Sequence, residues 1–347
     1  ELHKYIKSPA YLSLPCHNAR TSIMAEFLDN AGEERFLAKA TRFKADLAQM
    51  EASQALYQGI MGALGYAKNK LAFIELARRL PLQILESTTQ GKISDEECLA
   101  RQQALLLGTA GLLPSQRQNR HQENKQDKWV DKLEGLWASS PLTKAISQDA
   151  WHLFKVRPNN FPTRRIVAMS YLILRYREKG IFEEVVNMIK EIPINKGYHR
   201  LERGLMVAAN GYWASHFDFG LGSKIRNPTL LGTRRAADIV VNVLLPFAFA
   251  WGEISPEPEL KKALALYCSY PKLIINTVEK HMMNQLGLDN SLVNSAQRQQ
   301  GLIHIYNSLC TQGKCQCCPL GETTQASLRL GTTSKSKPST LPVLNRK

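Results

Sequence analysis

The 347-residue chain is short of acid, cysteine and strand signals. Thirty Asp and Glu stand against forty-five Lys and Arg, a formal charge of +15. Seven cysteines are too few for a disulfide scaffold. No apolar run reaches the roughly 20 residues that a membrane-spanning helix needs. The most apolar window, Ala236 to Trp251, is broken by Asp238, Asn242 and Pro246 and reads as a buried helix with a proline kink. Alternating β-branched runs with hairpin turns are missing, and no internal repeat is evident. There is no P-loop, G-x-G-x-x-G, G-x-S-x-G or H-E-x-x-H, and no strand-borne carboxylate set for a nuclease metal. These absences exclude a fibrous protein, a mini-protein and a polytopic membrane protein. The chain starts at Glu1, with no initiator Met and no positive-then-apolar leader. It reads as a piece of a longer protein, soluble and cytoplasmic, with no membrane partner.

What is present is helical patterning. Phe36, Ala40, Phe43, Leu47 and Met50 recur at helical spacing inside a stretch from Ile23 to Leu64, which Gly65 ends. Ser94 to Glu97 is a capping box that starts a helix through Leu107. Further helices fit Leu71 to Leu80, Lys144 to Val156, Thr163 to Arg177, Phe182 to Lys190, Leu201 to Phe217, Thr233 to Trp251, Pro258 to Tyr267, Lys272 to Leu286 and Ser295 to Leu309. The polar stretch Pro114 to Lys128 fits either an exposed helix or a loop. The expected fold class is all-α, a single multi-helix domain over residues 21–320. An irregular segment, 1–20, precedes it. A basic tail, 321–347, rich in Ser and Thr, follows and is expected to be disordered. Arg329, Lys335, Lys337, Arg346 and Lys347 put +5 of the charge after Glu322.

The sharpest local signal is CTQGKCQCCPL. Cys310, Cys315 and Cys318 stand in a C-x4-C-x2-C arrangement, with Cys317 as an extra thiol. Thiolates are soft ligands suited to zinc or iron–sulfur centres, and a four-coordinate site needs one more donor. Cys16, His304, Cys317 and Cys268 are candidates, and Cys16, beside Pro15, is preferred. The spacing favours an iron–sulfur cluster, with zinc as the alternative. Its expected role is to staple the first residues to the last helix. The plain alternative is a set of small buried thiols.

Two acid-free stretches pair arginines with turns. KVRPNNFPTRR carries Arg157, Arg164 and Arg165; KIRNPTLLGTRR carries Arg234 and Arg235. In each, an Arg pair opens a helix, where the helix dipole disfavours cations, so another requirement is expected. Brought together, these helix starts would make a site for nucleic-acid phosphates. Left apart, they are intramolecular ion pairs or a solvated face.

Four stretches, ALYQGIMGALGYAKNKLAFIELARRLPL, LLGTAGLLP, RPNNFPTRRI and the terminal C-x4-C-x2-C, together with Pro15–Cys16, resemble the bacterial family known as domain of unknown function 2851. The resemblance runs to about Glu322. No activity comes with it. It implies an additional N-terminal half carrying Gly-Pro-Asp-Phe and Val-Glu-Ile-His motifs, similar to the metal-binding pattern of restriction-endonuclease-like nucleases. On that resemblance this chain is the helical part of a nuclease-like, DNA-processing protein, without the catalytic carboxylates and not catalytic by itself. Two other readings stay open: a metal-stabilised helical protein-interaction module, and a small-molecule enzyme using His216 and Asp218.

Overall fold

A computed structural model describes residues 17–314 apart from 118–126, 143, 195, 223 and 225–227. The described residues are mainly helical, with two small antiparallel ribbons. The long helix His17–Leu47 buries Leu28, Ala31, Phe36, Ala40 and Phe43 along one face. That stripe packs against Leu245–Ile254 and against the last long helix, Ala296–Ser308. The pairing with Ala296–Ser308 is antiparallel and very close. A Cβ on Gly32 would sit 2.2 Å from the Gln297 carbonyl oxygen, and one on Gly301 2.2 Å from that of Leu28. Only glycine permits that approach. Arg298 locks the pair with a bidentate bridge to Asp29, at 2.9 and 3.0 Å.

The helix expected from Ile23 to Leu64 is two helices, His17–Leu47 and Ala52–Leu64, parted by a turn. Tyr66–Arg79 follows after Gly65 alone, so Tyr66 takes a left-handed φ of 53°. Half of the expected capping box forms: Ser94 Oγ accepts from the Glu97 N–H at 3.2 Å and opens Asp95–Thr109, while the Glu97 carboxylate pairs with Arg101 and Lys132. One unforeseen helix, Lys128–Ala138, is capped by Asp127, which accepts from the Trp129 and Val130 N–H groups.

Two expected helices are overridden by tertiary bonds. Across residues 144–156 only a 3₁₀ turn, Gln148–Ala150, forms. There the Ile146 N–H donates to Thr109 O and Trp151 Nε1 to Ala110 O. The Leu201 to Phe217 helix stops at Leu205. Val207–Ala208 pairs instead with Thr229–Leu231, and His216–Asp218 with Leu221–Gly222.

Thr233–Ile254 is one helix by length, and long and apolar enough to cross a membrane. In this structure 61% of its most apolar window is buried inside the protein, as a core helix requires. A π turn at Val240–Leu244, where the Leu245 N–H reaches Val240 O, leads into Pro246.

Candidate functional site

One concavity is a groove of about 1970 Å³ lined by the His17–Leu47, Ala52–Leu64, Tyr66–Arg79, Thr233–Ile254 and Ala296–Ser308 helices. Among its described lining residues are nine cations: Arg35, Lys39, Arg42, Lys70, Arg78, Arg157, Arg165, Arg234 and Arg235. The carboxylates lining it are Asp46 and Asp238. Four of the five arginines singled out from sequence therefore share one groove. The other five cations come from helices whose charge looks ordinary in the sequence.

The cations form two tiers. Arg42, Lys70, Arg78, Arg157 and Arg234 are exposed along the rim, and among the described residues none pairs with a carboxylate. Arg35, Lys39, Arg165 and Arg235 form a more buried floor. Arg165 donates to Leu230 O at 2.6 Å, Asn160 Oδ1 at 2.9 Å and the Tyr66 hydroxyl at 3.0 Å. Arg235 donates to Ala63 O and, at 3.3 Å, to Asp238. The Tyr66 ring lies beside both guanidiniums, and its hydroxyl donates to Asn160 Oδ1 at 2.9 Å. Nε of Arg165 and of Arg235 are buried without a hydrogen-bond acceptor. Burial lowers the Arg165 guanidinium to about 10, with Arg235 and Arg164 adding repulsion. Burial likewise pushes Asp238 above the usual carboxylate range, against the pull of Arg235. The two Arg-led helix starts thus meet across Tyr66, and their charge is met mostly by neutral oxygens.

Arg164 differs. It is fully buried and outside the groove, donating to Trp213 O, His216 O and Thr229 O at 2.8, 2.6 and 3.2 Å. A guanidinium enclosed this way cannot reach a phosphate. Arg164 is therefore no phosphate contact, contrary to the expectation from its motif, but a brace that ties the Trp213, His216 and Thr229 carbonyls together. Where the Leu201 to Phe217 helix stops, it is Arg175 that takes the Gly204 and Met206 carbonyls, each at 2.7 Å.

The acid–base pair considered for a small-molecule enzyme does not form. Asp218, 2% exposed, is clamped by Arg117 at 2.5 and 2.8 Å. His216 stacks flat on Tyr212, with centroids 4.0 Å apart.

Of the cysteine ligands, Cys16, Cys315 and Cys318 lie outside the described residues, as do Cys317 and the 321–347 tail. Cys310 starts the 3₁₀ turn Cys310–Gln312, with Sγ 3.9 Å from Met282 Sδ. No cluster of three or more metal-ligating residues occurs among the described residues. Cys268 is half-buried, its thiol pushed up to about 11 by burial and by Glu33 and Asp29. That makes it a poor thiolate donor. His304 faces Glu34 at 3.4 Å.

No curated protein and no solved structure matches the chain. A family match does extend over residues 3–272, taking in Cys16 and all five arginines and ending short of Cys310. Through that match, the chain belongs to the family described as Protein of unknown function (DUF2851).

Proposed function

We propose that this chain is the helical, nucleic-acid-binding part of a nuclease-like DNA-processing protein acting in the cytoplasm. It grips phosphates in the groove between the Arg-led helix starts. The observation that carries the reading is the charge imbalance of that groove, nine cations against two carboxylates among the described residues. Cations bonded to carbonyl oxygens remain uncompensated, and enclosing them is costly until an anion arrives. A phosphodiester chain supplies closely spaced anions that suit a row of rim cations. Arg157, Arg165, Arg234 and Arg235 are the contacts this reading uses. Strand cleavage belongs, in this reading, to a nuclease-like half of the kind the family resemblance implies. The rival protein-interaction reading needs those arginines saturated by carboxylates, and only Arg235 has one, Asp238, among the described residues.

The test is fluorescence anisotropy of a short labelled oligonucleotide from roughly 50 to 200 mM salt. The expected result is a steep, log-linear loss of affinity as salt rises. Binding that is flat across that range, or absent, overturns the reading.

A second element of the proposal is a metal staple at Cys16, Cys310, Cys315 and Cys318, iron–sulfur first and zinc as the alternative. Its support is the antiparallel pairing of His17–Leu47 with Ala296–Ser308. Met24 and Cys310 pack on one small core of Leu28, Met282, Leu302 and Ile305. The start of the His17–Leu47 helix and the turn that opens at Cys310 therefore lie at the same end of this helix pair. Anaerobic purification with an absorbance scan and metal analysis tests this. Brown, iron-containing protein supports the cluster, and colourless protein with stoichiometric zinc supports the alternative. Metal-free protein removes the staple.

A further inference from the structure

One amine in the groove has surroundings unlike those of the other cations. Lys39 extends from His17–Leu47 to the groove floor. There Nζ lies 2.5 Å from Asn242 Oδ1 and 3.2 Å from Gln300 Oε1. Both partners are neutral amides, and Gln300 Oε1 is shared with Arg35 Nε at 2.8 Å. The charged groups that act on Lys39 are Arg35 and Arg42 of its own helix and Lys70 of Tyr66–Arg79, all cations. Burial first, and then those three charges, hold its ammonium well below the ordinary lysine range. A part-buried structural lysine is normally answered by a carboxylate, and here two amide oxygens take that place. Once its proton is shed, the amine has two N–H donors and one lone pair. The two amide oxygens use both donors and leave the lone pair for an electrophile. Lysines that form Schiff bases are activated by such surroundings, enclosed and close to other cations.

We propose that Lys39 is a nucleophile that condenses with an aldehyde carried on a phosphodiester strand, the open-ring sugar of an abasic site in DNA. The proposal rests on the polyanion reading of the groove and adds the chemical class captured there. The lone pair forms the N–C bond while the carbonyl π pair moves to oxygen. Both amine hydrogens then leave with that oxygen as water, and a neutral imine remains. A strand fits better than a small sugar phosphate because five exposed cations, Arg42, Lys70, Arg78, Arg157 and Arg234, line the groove, more than a single phosphate needs.

The experiment incubates the full chain with a fluorescent single-stranded oligonucleotide carrying one abasic site, in the presence of sodium cyanoborohydride. This reagent delivers hydride to the imine carbon and makes the link permanent. The expected result is a covalent protein–oligonucleotide product whose peptide map places the link on Lys39. The product should be absent with a tetrahydrofuran analogue, which has no aldehyde, and lost in Lys39→Arg. The mapping is done on the unaltered protein, so a variant that fails to fold does not decide the matter. A link on another lysine, or a product undiminished in Lys39→Arg, overturns the proposal. So does salt-sensitive binding of the intact oligonucleotide with no trapping, although the polyanion reading then stands. Absence of any oligonucleotide binding sinks both. Trapping of glyceraldehyde 3-phosphate on Lys39 without trapping of the oligonucleotide overturns the strand as the source of the aldehyde.

Discussion

The guanidinium carbon of Arg235 lies 3.4 Å from the centre of the Tyr66 ring. This stack joins the start of the Thr233–Ile254 helix to the junction between Ala52–Leu64 and Tyr66–Arg79. Tyr66 holds a left-handed backbone there, which costs a non-glycine residue on the order of 1–2 kcal/mol. The stack, together with the bonds of the Tyr66 hydroxyl to Asn160 and Arg165, offsets that cost. Tyr66→Ala is expected to lower stability by about 2–3 kcal/mol and to weaken oligonucleotide binding as Arg165 and Arg235 lose their register. Tyr66→Phe should keep the stack and lose about 1 kcal/mol. Equilibrium unfolding in urea measures both.

The buried brace Arg164 and the rim arginine Arg234 should respond in opposite ways. Arg164→Met leaves three carbonyls without their donor and is expected to cost about 3 kcal/mol or more. Arg234→Gln, on the exposed rim, should change stability by no more than about 0.5 kcal/mol. It should nevertheless reduce the salt slope of oligonucleotide binding by about 1. A rim variant with an unchanged slope would remove Arg234 from the interface.

Asp238 is one of the two acids among the described groove residues, and burial raises its proton affinity. Asp238→Asn keeps the size of the side chain and removes a negative charge from beside Arg235. Oligonucleotide affinity is expected to rise. A fall would mean that Asp238 positions Arg235 instead of opposing the ligand.

His304 makes stability depend on pH. Burial chiefly, then Arg35, lower its proton affinity from the ordinary histidine value of 6.5, while Glu34 works the other way. The unfolded chain therefore binds the His304 proton more readily than the folded one. In that window stability rises with pH and is lost as pH falls below 6.5 toward the folded value. Thermal unfolding should show this decline, and His304→Gln should flatten it.

The glycine crossing is the tightest contact between the first and last long helices. Gly301→Val would drive its side chain into the Leu28 carbonyl, 2.2 Å from the new Cβ. The expected loss is several kcal/mol, or failure to fold. Gly135→Ala, at a helical position with open space around its Cβ, should be neutral or slightly stabilising. Circular dichroism melts distinguish the two.

Much of this protein is legible in its residue order because it is local. The all-helical class follows from periodic apolar residues, and the Ser94 cap from a side chain three residues from its partner N–H. The arginine pairs at two helix starts are visible the same way, since each sits against its own helix dipole. What could not be read locally depends on partners far along the chain. The 144–156 and 201–217 segments have helical patterning, yet Thr109, Ala110 and Arg164 hold their backbones in other arrangements. The sequence likewise treats Arg164 and Arg165 alike, as neighbours in one motif. Successive helical residues point about 100° apart, so one guanidinium braces a ribbon inside the core and the other faces the groove. Arg35, Lys39, Arg42, Lys70 and Arg78 look like ordinary helix charge until folding lays their helices along a single concavity. Composition and periodicity decide which elements form, through short-range bonds and burial. Tertiary packing decides which cations share a space, because charge acts through distance in the folded protein and not through position in the chain.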